Sequence, residues 1–392
     1  MKATNRVLDK LSWIFAIFLF CLVAFRPSAE QWDYYNMHES VKAFNLGLDP
    51  YQHKNLQLIT ERPTYSGVGY SYPPLIIICF EWLSLLSAKA GYFIWLALKL
   101  LTYIILFMIW SRYFLPLKNN FLTVFYFIFA FNSTLYIDLA TGNVSAFEQL
   151  VIWSSFIFLL NARIWPYCIC IAIISQIKLV PIVFLLLPLV IHKKPYWLPV
   201  IGSAGIFSLI FSVNYFIWPE YFASFVNIVQ NLHQYPLAKA HGLLELFGEL
   251  FGELSGMPKL LYLLLFAIIV PLSYSAIKNF QHKNENYDIR KVILFFCATY
   301  VVAVPRMKDY SYVIILLPAL YALIELPQKY LVSVILMPIL APNAINSILP
   351  GRNFFLIVYN YMPFLCSCAI WYVFYINLTH SSHPAPHLRQ ND

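Results

Sequence analysis

Apolar runs about as long as a bilayer core is thick recur along this chain, and the short segments between them carry most of its basic residues. A helix crossing the ~30 Å hydrocarbon core needs ~20 predominantly apolar residues. The pattern predicts spans near 11–26, 91–110, 121–138, 144–160, 164–176, 179–191, 196–217, 258–277, 291–304, 311–325, 330–349 and 354–376. The expected fold is an all-α polytopic membrane protein of about 12 transmembrane helices, forming one membrane-embedded domain over 1–392. Two long outer loops, 27–90 and 218–257, hold juxtamembrane helices, and 380–392 forms a polar cytoplasmic tail.

Three stretches interrupt this pattern. The runs 164–176 and 179–191 are short and flank Ser175-Gln176-Ile177-Lys178. They predict two short helices meeting at a buried polar turn, an arrangement tolerated where it lines a water-filled cavity. The apolar stretch from Pro73 to Ala88 is assigned to a re-entrant or interfacial helix, because a full crossing would carry Arg112, Lys118, Lys193, Lys194 and the 278–291 stretch outside. In the first outer loop Tyr34, Met37, Val41 and Phe44 recur at helical spacing, which predicts a helix lying on the membrane with its apolar face down. In the second, Phe247-Gly248-Glu249-Leu250 repeats as Phe251-Gly252-Glu253-Leu254 and stacks Glu245, Glu249 and Glu253 on one face, as a solvated stripe or an acidic binding surface.

Composition agrees with a membrane setting. The chain is 60% hydrophobic and 18% aromatic with only 11% charged residues, against roughly 25% charged in soluble domains. Its net charge of +8 reports topology rather than nucleic acid. The basic residues sit in alternating loops that the positive-inside rule assigns to the cytoplasm, and no basic run interleaves with exposed aromatics. On this assignment both termini are cytoplasmic. The first apolar run, 11–25, follows a basic start and is read as an uncleaved helix rather than a signal peptide. The seven cysteines, Cys21, Cys79, Cys168, Cys170, Cys297, Cys366 and Cys368, read as small buried filler. No phosphate-binding glycine loop, HExxH or paired CxxC occurs, so nucleotide-driven pumping has no support.

The polar residues at the outer side carry the functional signal. Asp33, Gly47-x-Asp49-Pro50-Tyr51, Tyr72-Pro73-Pro74-Leu75, Thr141-Gly142-Asn143-Val144, Gln176-x-Lys178-x-x-Pro181 and Arg306-Met307-Lys308-Asp309-Tyr310 follow one another in this order. The ordered set resembles glycosyltransferase family 87, a membrane-embedded group of the C-type superfamily, from the first span to about Pro318. It departs from the family's usual pattern at Gly142-Asn143 and at Val180-Pro181. The resemblance implies transfer of a hexose, commonly mannose, from a polyprenyl-phosphate donor to a lipid or glycan acceptor hydroxyl on the outer face. The setting it implies is a bacterial inner membrane.

That chemistry needs a base for the acceptor proton and cations for the leaving phosphate. Asp33 matches the family's acidic position and is the expected base, with a helix-capping aspartate as the alternative. Asp49 is the second acidic candidate, or else the Asp of an Asp-Pro-Tyr turn. Lys178, Arg306 and Lys308 are the candidate phosphate partners, unless they snorkel to headgroups. His38 and Tyr51 are candidate sugar contacts, and tyrosines 34, 35, 65, 70 and 72 suit stacking on sugars or an interfacial belt. His233 and His241 are candidates for closing the site. No cofactor is expected, and no ligand spacing indicates a metal. A transporter or flippase of an anionic lipid is the competing class, though the break near Lys178 has no counterpart in the second half.

Overall fold

A computed structural model describes residues 31–60, 70–116, 121–192, 195–231, 240–252, 256–284, 287–326 and 360–380. The predicted spans 11–26 and 330–349, Tyr65, Lys118, Lys193, Lys194, His233, Glu253 and nearly all of the 380–392 tail lie outside the described residues.

Among the described residues every regular element is helical. The described elements open with α1 (Trp32–Asn45), α2 (His53–Ile59), α3 (Pro74–Cys79) and a 3₁₀ turn, Glu81–Leu85. The long α4 (Ala88–Ile109) runs into a π turn, Trp110–Phe114. Next come α5 (Phe121–Thr141), α6 (Ser145–Leu160), α7 (Ile164–Ile174), a 3₁₀ segment Val180–Leu186, and α8 (Leu187–Val190). Then follow α9 (Trp197–Ile217), α10 (Pro219–Asn231), α11 (Leu243–Phe251), α12 (Met257–Lys283) and α13 (Ile289–Ala303). A 3₁₀ turn Asp309–Tyr312, α14 (Val313–Glu325) and α15 (Met362–His380) complete the order.

Four of these helical stretches are long and apolar enough to cross a bilayer: Ala88–Phe114, Trp197–Ile217, Met257–Lys283 and Met362–His380. A broken pair, Tyr126–Thr141 with Ser145–Leu160, bent by 115°, makes a fifth when counted as one span. The expected count of about 12 is therefore not reproduced among the described residues. Two of the predicted spans lie outside the described residues, and among the rest apolar runs mark burial as well as lipid contact. α13 and α14, 15 and 13 residues long, are sheathed by protein, with Val292–Phe295 and Val313–Ala319 buried. α9 and α12 instead leave Leu209, Phe216, Leu260, Leu264 and Ile268 exposed, a surface suited to lipid.

Two further expectations are corrected. The Pro73–Ala88 stretch is not one re-entrant helix but α3, opened by Pro74 in its first turn, then the Glu81–Leu85 turn. It ends at Ser87, whose hydroxyl accepts from the Ala90 amide and caps α4. α1 forms as predicted but does not lie with one face on lipid. Both faces are buried, because its polar residues find protein partners. His38 Nε2 meets the Leu86 carbonyl at 3.1 Å, Thr60 donates to Glu39, and Ser40 donates to the Pro50 carbonyl.

The bundle has two chemically distinct ends. At one, Lys278 donates to the Val190 carbonyl at the end of α8 and Lys283 to the Thr379 carbonyl near the end of α15, and Tyr287, just before Arg290 and Lys291, donates to the Ile191 carbonyl. α1, the α5–α6 elbow, the α7 C-terminus and the 304–312 segment gather at the opposite end.

Candidate active site

The elbow between α5 and α6 organises this end. Gly142 turns the chain with φ +72°, and a Cβ there would stand 2.5 Å from Tyr34 Cβ. Only glycine lets α1 approach so closely in this conformation. Asn143 follows and is 2% exposed. Its Oδ1 accepts from the Ser145 amide at 3.0 Å, Ser145 Oγ at 2.8 Å and Lys178 Nζ at 3.2 Å. With its oxygen so occupied, its Nδ2 faces the other way and donates to Asp33 Oδ2 at 3.0 Å.

Asp33 lies in the first turn of α1 on the wall of a cavity of about 290 Å³. Tyr70, Tyr72, Asn143, Lys178, Arg306, Lys308 and Tyr310 contribute to the same wall. Met37, Ile177, Leu179, Val180, Phe225 and Val229 supply an apolar side. Burial raises the Asp33 carboxyl above its ordinary value of 3.8, against the opposing pull of Lys308, the Asn143 hydrogen bond, Lys178 and Lys99. Lys308 is displaced the other way: burial lowers its ammonium, and the attraction of Asp33 resists this.

Each cation at the cavity has a carboxylate neighbour. Lys178 pairs with Glu148 at 2.8 Å, donates to Ser145 Oγ at 2.6 Å and lies 5.2 Å from the Tyr310 ring centroid. Arg306 Nε meets Glu245 Oε1 at 2.7 Å. Glu245 thus belongs to a docking contact and not to a solvated stripe. α11 ends at Phe251, where Gly252 takes φ +86°. The segment before α11 also grips the 305–309 stretch. The His241 amide donates to the Met307 carbonyl at 2.7 Å, the Leu244 amide to the Pro305 carbonyl at 3.3 Å, and His241 Nδ1 meets Asp309 Oδ1 at 2.8 Å. Burial pulls the His241 imidazole down, but Asp309, Glu249 and Glu245 more than offset it, so its value is raised above 6.5.

The structure thus brings Asp33, Lys178, Arg306 and Lys308 to one cavity. Asp49, Tyr51 and His38 do not line it. Asp49 forms a turn, accepting from the Tyr51 amide and Gln52 Nε2, each at 2.9 Å, and ties that turn to α10 through Ser224 Oγ at 2.9 Å. Tyr51 is 3% exposed and donates to the Tyr72 carbonyl at 2.7 Å, bracing the strand of chain behind Tyr72. His38 holds the Leu86 carbonyl. Three central roles are not assigned from the sequence: Asn143, although its motif belongs to the ordered set, as the bridge, Glu148 as the partner of Lys178, and the buried pair of Lys99 with Asp138. Lys99, in a predicted span, and Asp138, at the end of another, were the available signal, since opposite charges at membrane depth pair.

Neither the curated proteins nor the solved structures include a match to this chain. The family model described as glycosyltransferase family 87 matches residues 70–305. That stretch contains Tyr72, Asn143, Glu148 and Lys178, stops one residue short of Arg306, and excludes Asp33, which the Asn143 hydrogen bond connects to it. The match extends over more than half of the chain, and the protein belongs to glycosyltransferase family 87.

Proposed function

We propose that this membrane glycosyltransferase moves a hexose, with mannose the first candidate, from a polyprenyl-phosphate donor to an acceptor hydroxyl at the outer face. The observation that carries the reading is the convergence of one carboxylate, Asp33, and three cations on a cavity with an apolar side. The apolar side suits the first isoprenes of a lipid, and the cations suit its phosphate. Asp33 takes the acceptor proton as the acceptor oxygen bonds to sugar C1. The bond from C1 to the phosphate oxygen breaks, and its electron pair leaves on the lipid phosphate beside Lys308, Arg306 and Lys178. The basic end faces the cytoplasm by the positive-inside rule, which turns the cavity outward.

The test uses purified full-length protein and labelled polyprenyl-phosphate mannose. Asp33→Asn keeps the size of the side chain but removes its basic lone pairs, so turnover should fall by about 10²–10⁴ while donor still binds. Asp49→Asn should retain turnover, since an amide maintains the turn. Wild-type rates in the Asp33 variant would sink the proposed base. Lipid bound but moved across vesicles without sugar transfer would favour a flippase. Charge stabilisation is assigned to side chains, so transfer is expected to persist in EDTA.

A further inference from the structure

α4 presents Trp95, Lys99 and Tyr103 at four-residue spacing, hence on one face, and all three donate to the α5–α6 elbow. Trp95 Nε1 reaches the Gly142 carbonyl at 2.9 Å. Lys99 Nζ donates to the Asn143 carbonyl at 2.7 Å and to the Asp138 carbonyl, and pairs with Asp138 Oδ2 at 2.9 Å. Tyr103 OH donates to Asp138 Oδ2 at 2.6 Å. The side chains of Lys99 and Asp138 are 0% exposed.

Lys99 stands eleven residues into a helix long enough to cross the membrane, ~16 Å along its axis at 1.5 Å per residue. An ammonium at such depth is costly, and a buried ion pair is weak evidence of stability, because well-packed apolar residues often do as well. What the ammonium supplies is a donor to the Asn143 carbonyl just past the end of α5, together with a second donor to the Asp138 carbonyl, which the Gly142 amide also reaches at 3.2 Å. One of those carbonyls belongs to Asn143, whose side chain spans the gap between Lys178 and Asp33.

We propose that Lys99 is a positioning residue for sugar transfer: clamped on the Asp138 and Asn143 carbonyls, it fixes the elbow so that the Asn143 amide orients the Asp33 carboxylate. The proposal rests on the reading of Asp33 as the base. It assigns Lys99 no contact with substrate.

The experiment is a cycle between Lys99 and Asn143 in the full-length enzyme, with polyprenyl-phosphate mannose and an acceptor that turns over in the wild type. Lys99→Met with Asp138→Asn removes the charge pair together and leaves Tyr103 an acceptor. This variant should keep its melting temperature within a few degrees and its donor affinity within about threefold, yet lose about 10–100-fold in kcat, since small misplacements at a reacting centre cost this much. The acid limb of its rate profile should move to higher pH. Asn143→Ala should cost a similar factor, and combining the changes should cost little more, because both act through one contact. Lys99→Arg, which retains donors, should recover part of the rate and of the acid limb. Wild-type kcat in the folded Lys99→Met/Asp138→Asn enzyme, or losses that simply multiply with Asn143→Ala, would overturn the proposal. If that variant does not fold, Asn143→Ala decides, because unchanged kcat and an unchanged acid limb in it would show that the Asn143 amide does not orient Asp33, and would be equally fatal. An Asp33→Asn enzyme with full activity would overturn the base assignment instead, and the coupling between Lys99 and Asn143 would still be read independently from kcat.

Discussion

At the scale of single residues, the proposed role of Asp33 as base turns on how its surroundings divide. Burial raises its carboxyl, and Lys308 is the strongest of the groups that pull it back. A base works when deprotonated, so the rate should fall as pH drops through a value above 3.8. Replacing Lys308 with Gln removes the largest opposing influence, and the acid limb of kcat should move to higher pH. A pH–rate series on the two proteins checks this, and superimposable limbs would detach Lys308 from Asp33. Asp33, Lys178, Arg306 and Lys308 were legible in sequence because a charge beside an apolar run is conspicuous. Asn143 stands in the ordered motif set, but a neutral amide carries no charge signal and is assigned no role there. Its role depends on which donors surround its oxygen, and Ser145 and Lys178 occupy places that only the folded elbow brings together.

At the scale of elements, the cavity is closed by pieces distant in sequence. The 241–245 segment and the 305–309 stretch hold each other through backbone hydrogen bonds, Arg306 with Glu245, and His241 with Asp309. A Cβ on Gly242 would meet the Pro305 carbonyl oxygen at 2.6 Å, so the contact depends on that glycine. The raised value of His241 means its charged form is favoured in the folded state. Its contribution to stability is therefore complete below about 6.5 and is lost as pH rises through the higher folded value. Melting curves against pH should show this loss in the wild type and a shallower one in His241→Gln. The helical pattern of both outer loops was readable, but their depth of burial was not. Hydrophobic spacing predicts an apolar face, whereas the partners of His38, Glu39 and Glu245 come from residues 86, 60 and 306.

At the scale of the molecule, sorting of charge to opposite ends is the strongest topological signal. Cysteines introduced at Lys194 and Glu285 should react with impermeant reagents only from the cytoplasm, and one at Glu249 only from outside. Labelling of position 194 from outside would invert the assignment. Lipid-facing and protein-sheathed runs were harder to separate. α12 and α13 are both strongly apolar, yet Leu260 and Leu264 of the first are exposed while Val292–Phe295 of the second are enclosed.

The prior pairing of the cations has a consequence for how a lipid would be selected. Lys178 already has Glu148, Arg306 has Glu245, and Lys308 feels Asp33. For the proposed donor, an arriving phosphate would compete with these carboxylates for the cations, so the net electrostatic reward would be small. Discrimination falls to the hydrocarbon tail, at about 0.8 kcal/mol for each buried methylene. Donor analogues shortened by one isoprene should bind markedly more weakly wherever the lost unit was in contact. Raising sodium chloride from dilute to physiological levels should change affinity far less, as titration of purified enzyme in nanodiscs would show. On that reading, the enzyme would measure the length of the proposed donor more than its charge.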